Sequence, residues 1–125
     1  MNKAEIFTRL DTVIVRVKYL AAARKWYEDK LGFRPSFADN NEKLVVFDIG
    51  GTTSLTIWQL KPGDKPAPAG TAGVFPIFLA ENAGDARKTL SGRGVEVTAI
   101  QEGGGIRWFR FHDLDGNPLK VCQSI

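Results

Sequence analysis

Tryptophan, arginine and lysine side chains recur at alternate positions in several short stretches of the chain, and together these residue types can bind an organic anion. The pattern involves Arg16, Trp58, Trp108, Arg110 and Lys120. An indole ring offers a flat apolar surface, and a guanidinium or ammonium group attracts a carboxylate or a similar anion. These residues therefore favour a site for a flat, apolar molecule that carries a negative charge.

Strand alternation predicts which side chains share a face with the tryptophans, because successive side chains in a strand point to opposite sides. The predicted ligand-binding face carries Thr12, Ile14, Arg16, Thr56, Trp58, Phe75, Ile77, Trp108, Arg110, Lys120 and Cys122. The opposite face carries Leu55, Ile57, Phe109, Phe111, Leu119 and Val121, which we expect to pack against helices. In the alternative interpretation, the aromatic residues simply fill the interior or a dimer interface.

The chain has one histidine and one cysteine, and this limits the chemistry that it can perform. A metal site with two imidazoles, a cysteine-based zinc site and an internal disulfide are all excluded within one chain. His112 precedes Asp113, but adjacent strand residues point apart, so we interpret His112 as a surface residue rather than a general base. Cys122 lies near Lys120 in sequence and could act as a nucleophile, although packing is the interpretation we favour.

Asp113, Asp115 and Asn117 imitate the start of a calcium-binding loop. Such a loop needs glycine at its sixth position and glutamate at its twelfth, where this chain has Pro118 and Ser124. We therefore reject calcium binding for this segment.

The charge pattern argues against nucleic acid as the main partner. The net charge is +3, and the lysines and arginines are scattered rather than concentrated in a patch. The stretch 107–111 does interleave basic and aromatic residues, as proteins that stack single-stranded bases do. Single-stranded nucleic-acid binding is therefore retained only as a secondary alternative.

The hydrophobic pattern predicts two similar series of elements that would position these side chains. The first series comprises a strand at 11–18, a helix at 20–31 and strands at 33–38, 43–49 and 54–60. The second comprises a strand at 74–80, a helix that begins after Asn82 and ends near Gly92 and Gly94, and strands at 95–101, 106–112 and 118–123. Each series reads β-α-β-β-β, and equivalent positions are offset by about 63 residues, as Ala23 and Ala86 are.

The length of 125 residues suits a single domain at 1–125. We predict an α+β fold with module one at about 10–60, a linker rich in proline and glycine at 61–73 and module two at about 74–123. The two modules would form one curved mixed sheet around a cleft. No apolar run approaches the ~20 residues that span a bilayer, and the N-terminus lacks a signal-peptide core, so we expect a cytoplasmic protein without membrane contact.

Three segments resemble the vicinal oxygen chelate superfamily, which includes glyoxalase, bleomycin-resistance and extradiol-dioxygenase proteins and is built from paired βαβββ modules. They are 17–20 running into 26–33, then 94–97, and then the hairpin from Phe111 to Leu119, which contains Asp-Leu-Asp-Gly-Asn. Together they span nearly the whole chain. Leu114 stands where the family usually has proline, and Tyr19 where it usually has aspartate.

The resemblance also implies where a metal would bind. Metal-dependent members hold a divalent ion with four side chains, generally His, Gln or Glu on the first strand of each module and Glu on the last. The matching positions here are Thr12, Thr56, Phe75 and Lys120. None of them is a good ligand for a divalent ion, so we expect neither a metal nor another cofactor.

The sequence thus predicts metal-independent binding, of the sequestering kind that the bleomycin-resistance branch implies, of a small aromatic or amphipathic anion by a homodimer. The competing class is an enzyme, a glyoxalase-like lyase or isomerase or a dioxygenase, whose metal ligands lie at other positions. The side chains that could supply those ligands are Asp48, Gln59, Glu96, Glu102 and Gln123.

Overall fold

The computed structural model describes residues 6–66, 70 and 72–125, and within them eight strands and two helices follow the predicted order. The first series is β1 (Thr12–Val17), α1 (Leu20–Leu31), β2 (Arg34–Asp39), β3 (Leu44–Asp48) and β4 (Ser54–Gln59). The second is β5 (Ile77–Leu79), α2 (Ala83–Gly92), β6 (Gln101–Gly103), β7 (Ile106–His112) and β8 (Pro118–Ser124). The predicted linker at 61–73 falls partly outside the described residues.

The strands form two four-stranded mixed sheets with equivalent topology. Their orders are β1-β4-β3-β2 and β5-β8-β7-β6. In each sheet the first strand of the series runs parallel to the last, and the remaining neighbours are antiparallel. The predicted α+β class with two βαβββ modules is confirmed, but each module forms its own four-stranded sheet, whereas one curved mixed sheet was expected.

Buried residues from both sheets and both helices form one hydrophobic core. The first sheet contributes Val15, Val17, Val45, Phe47, Leu55 and Ile57, and the second contributes Phe109, Phe111, Leu119 and Val121. Ala23 and Tyr27 of α1 and Ala83 and Leu90 of α2 are buried in the same core. The predicted alternation is therefore correct for β4, β7 and β8. We call the opposite side of each sheet the open face.

Two predicted strands are shorter or displaced in the structure. Pro76 has no N–H to offer a neighbouring strand, and β5 begins only at Ile77, so Phe75 lies outside it. In the predicted strand at 95–101 only Gln101 belongs to a strand, as the first residue of β6, and the residues before it make a single isolated bridge, between Val97 and Phe111. Next to it the Thr98 hydroxyl accepts the backbone N–H of Arg110, in place of a strand partner.

The β7–β8 turn joins the second module to the first. Asp113 is buried, and its Oδ1 accepts the backbone N–H groups of Asp115 and Asn117. Its Oδ2 accepts the hydroxyl of Tyr27 on α1 at 2.7 Å. The Asn117 amide then donates to the backbone carbonyl of Arg16 on β1 at 3.0 Å. This hairpin therefore fixes the position of β8 relative to β1.

The described ranges contain no helix that combines the length and the apolar character of a membrane span.

Candidate ligand-binding site

The open face of the first sheet carries an indole ring beside two cations, which we call the Trp58 cluster (Arg16, Trp58 and Lys61). Arg16 and Trp58 are register partners on β1 and β4. The Arg16 guanidinium carbon lies 4.4 Å from the Trp58 ring centroid, and the Lys61 ammonium lies 5.3 Å from it. The Trp58 indole N–H donates to the Glu42 carbonyl at 2.9 Å. This hydrogen bond fixes the plane of the ring.

Arg16 makes three hydrogen bonds through its Nε and Nη2 atoms. Its guanidinium donates to the backbone carbonyls of Trp58 and Gln59 and to the Asp64 carboxylate, the last at 2.7 Å. Asp64 also accepts the backbone N–H of Lys61 at 2.9 Å. That backbone hydrogen bond, followed by the one from Arg16, lowers the pKa of Asp64 below its ordinary value.

The open face of the second sheet repeats the arrangement in the Trp108 cluster (Trp108, Arg110 and Lys120). The Lys120 ammonium lies 4.1 Å from the Trp108 ring centroid, and the Arg110 guanidinium carbon lies 5.7 Å from it. Arg110 and Lys120 are register partners on β7 and β8. Within the described residues no carboxylate forms an ion pair with either cation.

The residues at the positions implied for a metal do not fit one. The hydroxyls of Thr12 and Thr56 lie 2.8 Å apart and hydrogen-bond to each other. Phe75 has no donor atom for a metal, and the ammonium of Lys120, which would repel a cation, lies against Trp108. Over the described ranges no three His, Cys, Asp or Glu side chains are close enough to hold an ion.

The two glutamines that could have supplied other metal ligands are bound to the helix N-termini instead. Gln59, the last residue of β4, accepts the backbone N–H of Leu20 at 2.9 Å. Gln123 on β8 accepts the backbone N–H of Ala83 at 2.8 Å. The first N–H groups of a helix have no partner within it, so each glutamine satisfies one of them. This matched pair repeats the internal symmetry of the fold.

The three carboxylates that could have supplied metal ligands are dispersed. Asp48 accepts the backbone N–H of Gly50, and Glu102 pairs with Arg107 at 2.7 Å. Glu96 is exposed. They do not form a common site.

A cavity of about 320 Å³ lies between β1 and the segment that leads into β5. It contains three of the predicted site residues, namely Ile14, Arg16 and Phe75. Neither Trp58 nor Trp108 lines it. The structure therefore distributes the predicted site over this cavity and the two tryptophan clusters, and the described contacts do not join one cluster to the other. Half-buried Cys122 is the register partner of Trp108.

Sequence analysis did not identify Lys61 and Asp64 as site residues, because they lie in the stretch interpreted as a linker. The Asp64 N–H donates to the Lys61 carbonyl at 2.9 Å, which closes a turn around Pro62 and Gly63. Gly63 has φ 90°, a conformation that glycine adopts without strain. The Pro-Gly pair predicts this turn, although not its contact with Arg16.

The basic and aromatic stretch 107–111 offers little surface for stacking bases. Phe109 and Phe111 are buried in the core, and Arg107 is paired with Glu102. Only Trp108 and Arg110 remain on the open face. His112 is exposed, as predicted.

A family comparison identifies the superfamily. The model of the Glyoxalase/Bleomycin resistance protein/Dioxygenase superfamily matches residues 9–121. The chain belongs to this superfamily. The resemblance found in the three sequence segments is thereby confirmed. A search of curated protein sequences found no match.

Solved structures of similar proteins share the fold over almost their whole length. A member of the superfamily from Sphaerobacter thermophilus DSM 20745 is 25% identical, with a TM-score of 0.80 over 95% of this chain and 99% of that one. TnmS3, an antibiotic binding protein from Streptomyces sp. CB03234, is 20% identical, with a TM-score of 0.80 over 96% and 98%. A glyoxalase family protein from Enterococcus faecalis is 22% identical, with a TM-score of 0.77 over 93% and 98%.

Proposed function

We propose that this member of the superfamily binds a small aromatic anion on its open faces without a metal ion, and that it sequesters the molecule rather than transforming it. The observation that carries the proposal is the repeated placement of an indole ring beside two cations, at Trp58 and at Trp108. A flat apolar ring can stack on either indole, and a cation beside it attracts the charged end of the same molecule.

The chemistry of the open faces also favours binding over catalysis. The hydroxyls of Thr12 and Thr56 hydrogen-bond to each other, and Lys120 stands where metal-dependent relatives would have an anionic ligand. A metal-dependent enzyme would need ligands that these positions do not provide. The structural likeness to TnmS3, an antibiotic binding protein, supports a binding role for this chain as well.

We also propose that the protein is a homodimer in which a second copy covers part of the open faces. Ile14 and Ile77 lie on these faces and are 50% and 52% exposed, and Val74 beside them is fully exposed. Apolar groups in this setting gain stability when a partner removes them from water. Analytical ultracentrifugation is expected to show a dimer that Ile77→Lys dissociates, and a monomeric wild-type protein would contradict this arrangement. A cytoplasmic location stays a prediction.

The indole N–H signals of the three tryptophans provide a direct test by NMR. The probe is anilinonaphthalene sulfonate, a flat aromatic anion. We expect it to shift the signals of Trp58 and Trp108, while Trp26 on α1, which packs against the core, stays unchanged as an internal control. Shifts at none of the three, or equal shifts at all of them, would contradict binding on the open faces.

Metal analysis of the purified protein separates binding from the enzymatic alternative. We expect no stoichiometric transition metal, because the side chains at the implied positions are two threonines, a phenylalanine and a lysine. A stoichiometric metal would contradict the proposal.

A further inference from the structure

We infer that the anionic end of the bound molecule is oriented toward Arg110 and Lys120 of the second sheet, beside Trp108, and not toward the cations beside Trp58 of the first. This inference rests on the proposed binding function and says which of the two clusters receives the charge. It follows from a difference in charge between the two tryptophan clusters, which are otherwise alike.

Both cations of the Trp58 cluster already have carboxylate partners. Arg16 pairs with Asp64 at 2.7 Å, and Lys61 pairs with Glu42 at 2.8 Å. An incoming anion would have to displace these carboxylates or lie close to them. These carboxylates would repel an anion, and they balance the two cations, so the surroundings of the Trp58 ring are close to neutral.

The cations of the Trp108 cluster lack such partners. Arg110 and Lys120 face each other directly across β7 and β8, and the described residues supply neither side chain with a carboxylate. Two like charges at opposed positions of an antiparallel pair destabilise the sheet. An anion placed between them would relieve this repulsion.

The backbone on both sides of this site is hydrogen-bonded, which fixes the points from which the two cationic side chains extend. The Arg110 N–H donates to the Thr98 hydroxyl at 2.8 Å, and the Lys120 N–H donates to the Pro76 carbonyl at 3.2 Å. A guanidinium fork beside an ammonium suits a carboxylate, a sulfonate or a phosphate. The ligand class is therefore an aromatic acid whose acidic group lies at one end.

Two probes that differ only in their charged group test this orientation. Anilinonaphthalene sulfonate carries the sulfonate, and phenylnaphthylamine is the same ring system without it. Lys120→Gln and Arg110→Gln are each expected to weaken sulfonate binding about tenfold, because a charge-assisted hydrogen bond is lost. Binding of the neutral probe is expected to change less than about twofold, because the loss of one cation leaves the indole surface in place.

Two control variants separate a local contact from a general effect of charge. Lys88→Gln removes an exposed lysine of α2 and is expected to preserve the preference for the sulfonate. The double variant Arg16→Gln with Asp64→Asn removes the paired charges near Trp58 without changing the net charge. It is expected to lower the affinity for both probes by the same factor and so to leave the preference for the sulfonate unchanged.

The outcomes distinguish this inference from the function on which it rests. If neither probe binds the wild-type protein, the proposed function is wrong. If both probes shift Trp58 and Trp108 but only the double variant abolishes the preference for the sulfonate, the function stands and the orientation is wrong. Equal losses of preference in Lys88→Gln and Lys120→Gln would also contradict the orientation.

Discussion

Asp113 shows how a single residue of the hairpin can resemble part of a catalytic site and yet hold the fold together. Its neighbour His112 invites an acid–base interpretation, but the Asp113 carboxylate is buried and accepts hydrogen bonds from Tyr27, Asp115 and Asn117. Burial and the nearby negative charge raise the pKa of the Tyr27 hydroxyl, burial being the larger cause. Tyr27 is therefore a neutral donor to Asp113 over the whole physiological range of pH.

Removal of this hydroxyl should destabilise the protein. Tyr27→Phe leaves a buried carboxylate oxygen without one of its donors, which costs about 1–3 kcal/mol of unfolding free energy. Urea denaturation followed by circular dichroism measures the change. Tyr19→Phe, at a residue that is 72% exposed, is the matched control and should have little effect. Equal stability of Tyr27→Phe and the wild-type protein would show that the hydrogen bond contributes nothing.

Gln123 offers a second test at the residue scale, because it could serve either a helix or a metal. Gln123→Ala removes the acceptor for the first N–H of α2, and we expect it to lower the unfolding free energy by about 1 kcal/mol. Gln101→Ala, at an exposed position, is the control. A variant that kept its stability but lost a bound metal would show that Gln123 is a metal ligand.

At the scale of elements, the ion pair between Asp64 and Arg16 joins the turn at 61–64 to β1. The strength of this contact should depend on pH. The pKa of Asp64 is lowered from 3.8 by the Lys61 backbone N–H and by Arg16. Because a lowered pKa favours the charged form in the folded state, the contact is complete above 3.8 and is lost as the pH falls through the lowered pKa.

Titration of the Asp64 carboxyl by carbon-13 NMR tests this behaviour. In Arg16→Gln the midpoint should move up toward 3.8 without reaching it, because the hydrogen bond from the Lys61 N–H remains. Lys25→Gln, which removes a distant charge on α1, should leave the midpoint unchanged. An unchanged midpoint in Arg16→Gln would contradict the assigned role of the guanidinium.

The elements that local sequence determines could be predicted, and those that need a tertiary partner could not. Alternation identified β7 and β8 because their periodicity is two and Gly116 supplies the turn, with φ 84°. The stretch 95–101 alternates as well, but the Thr98 side chain replaces a ladder hydrogen bond there. The same periodicity predicted that Trp58 and Trp108 lie on the face opposite the core.

The charge partners in the site could not be predicted in this way. Asp64 and Lys61 reach Arg16 and Trp58 through the placement of a turn in space, and hydrophobic periodicity carries no information about a loop. By contrast, the position of Arg110 opposite Lys120 can be predicted from the sequence, because the turn at Asp113–Asn117 sets the register of the hairpin.

For the whole molecule, the repeated module explains the glutamine at each helix N-terminus. The two tryptophan clusters are not equivalent in the repeat, because Trp58 lies on β4 and Trp108 on β7, but each places an indole beside two cations on an open face. The modules differ in charge compensation, because Asp64 and Glu42 neutralise only the first. The two sheets thus present similar ring surfaces with different electrostatics.

The most direct test of metal-independent binding is an NMR titration of chelator-treated protein with anilinonaphthalene sulfonate, compared with the same titration of untreated protein. We predict saturable shifts of the Trp58 and Trp108 indole signals that are the same in both samples, with Trp26 unaffected. Loss of these shifts after chelation, with recovery when a divalent metal is added, would contradict the account.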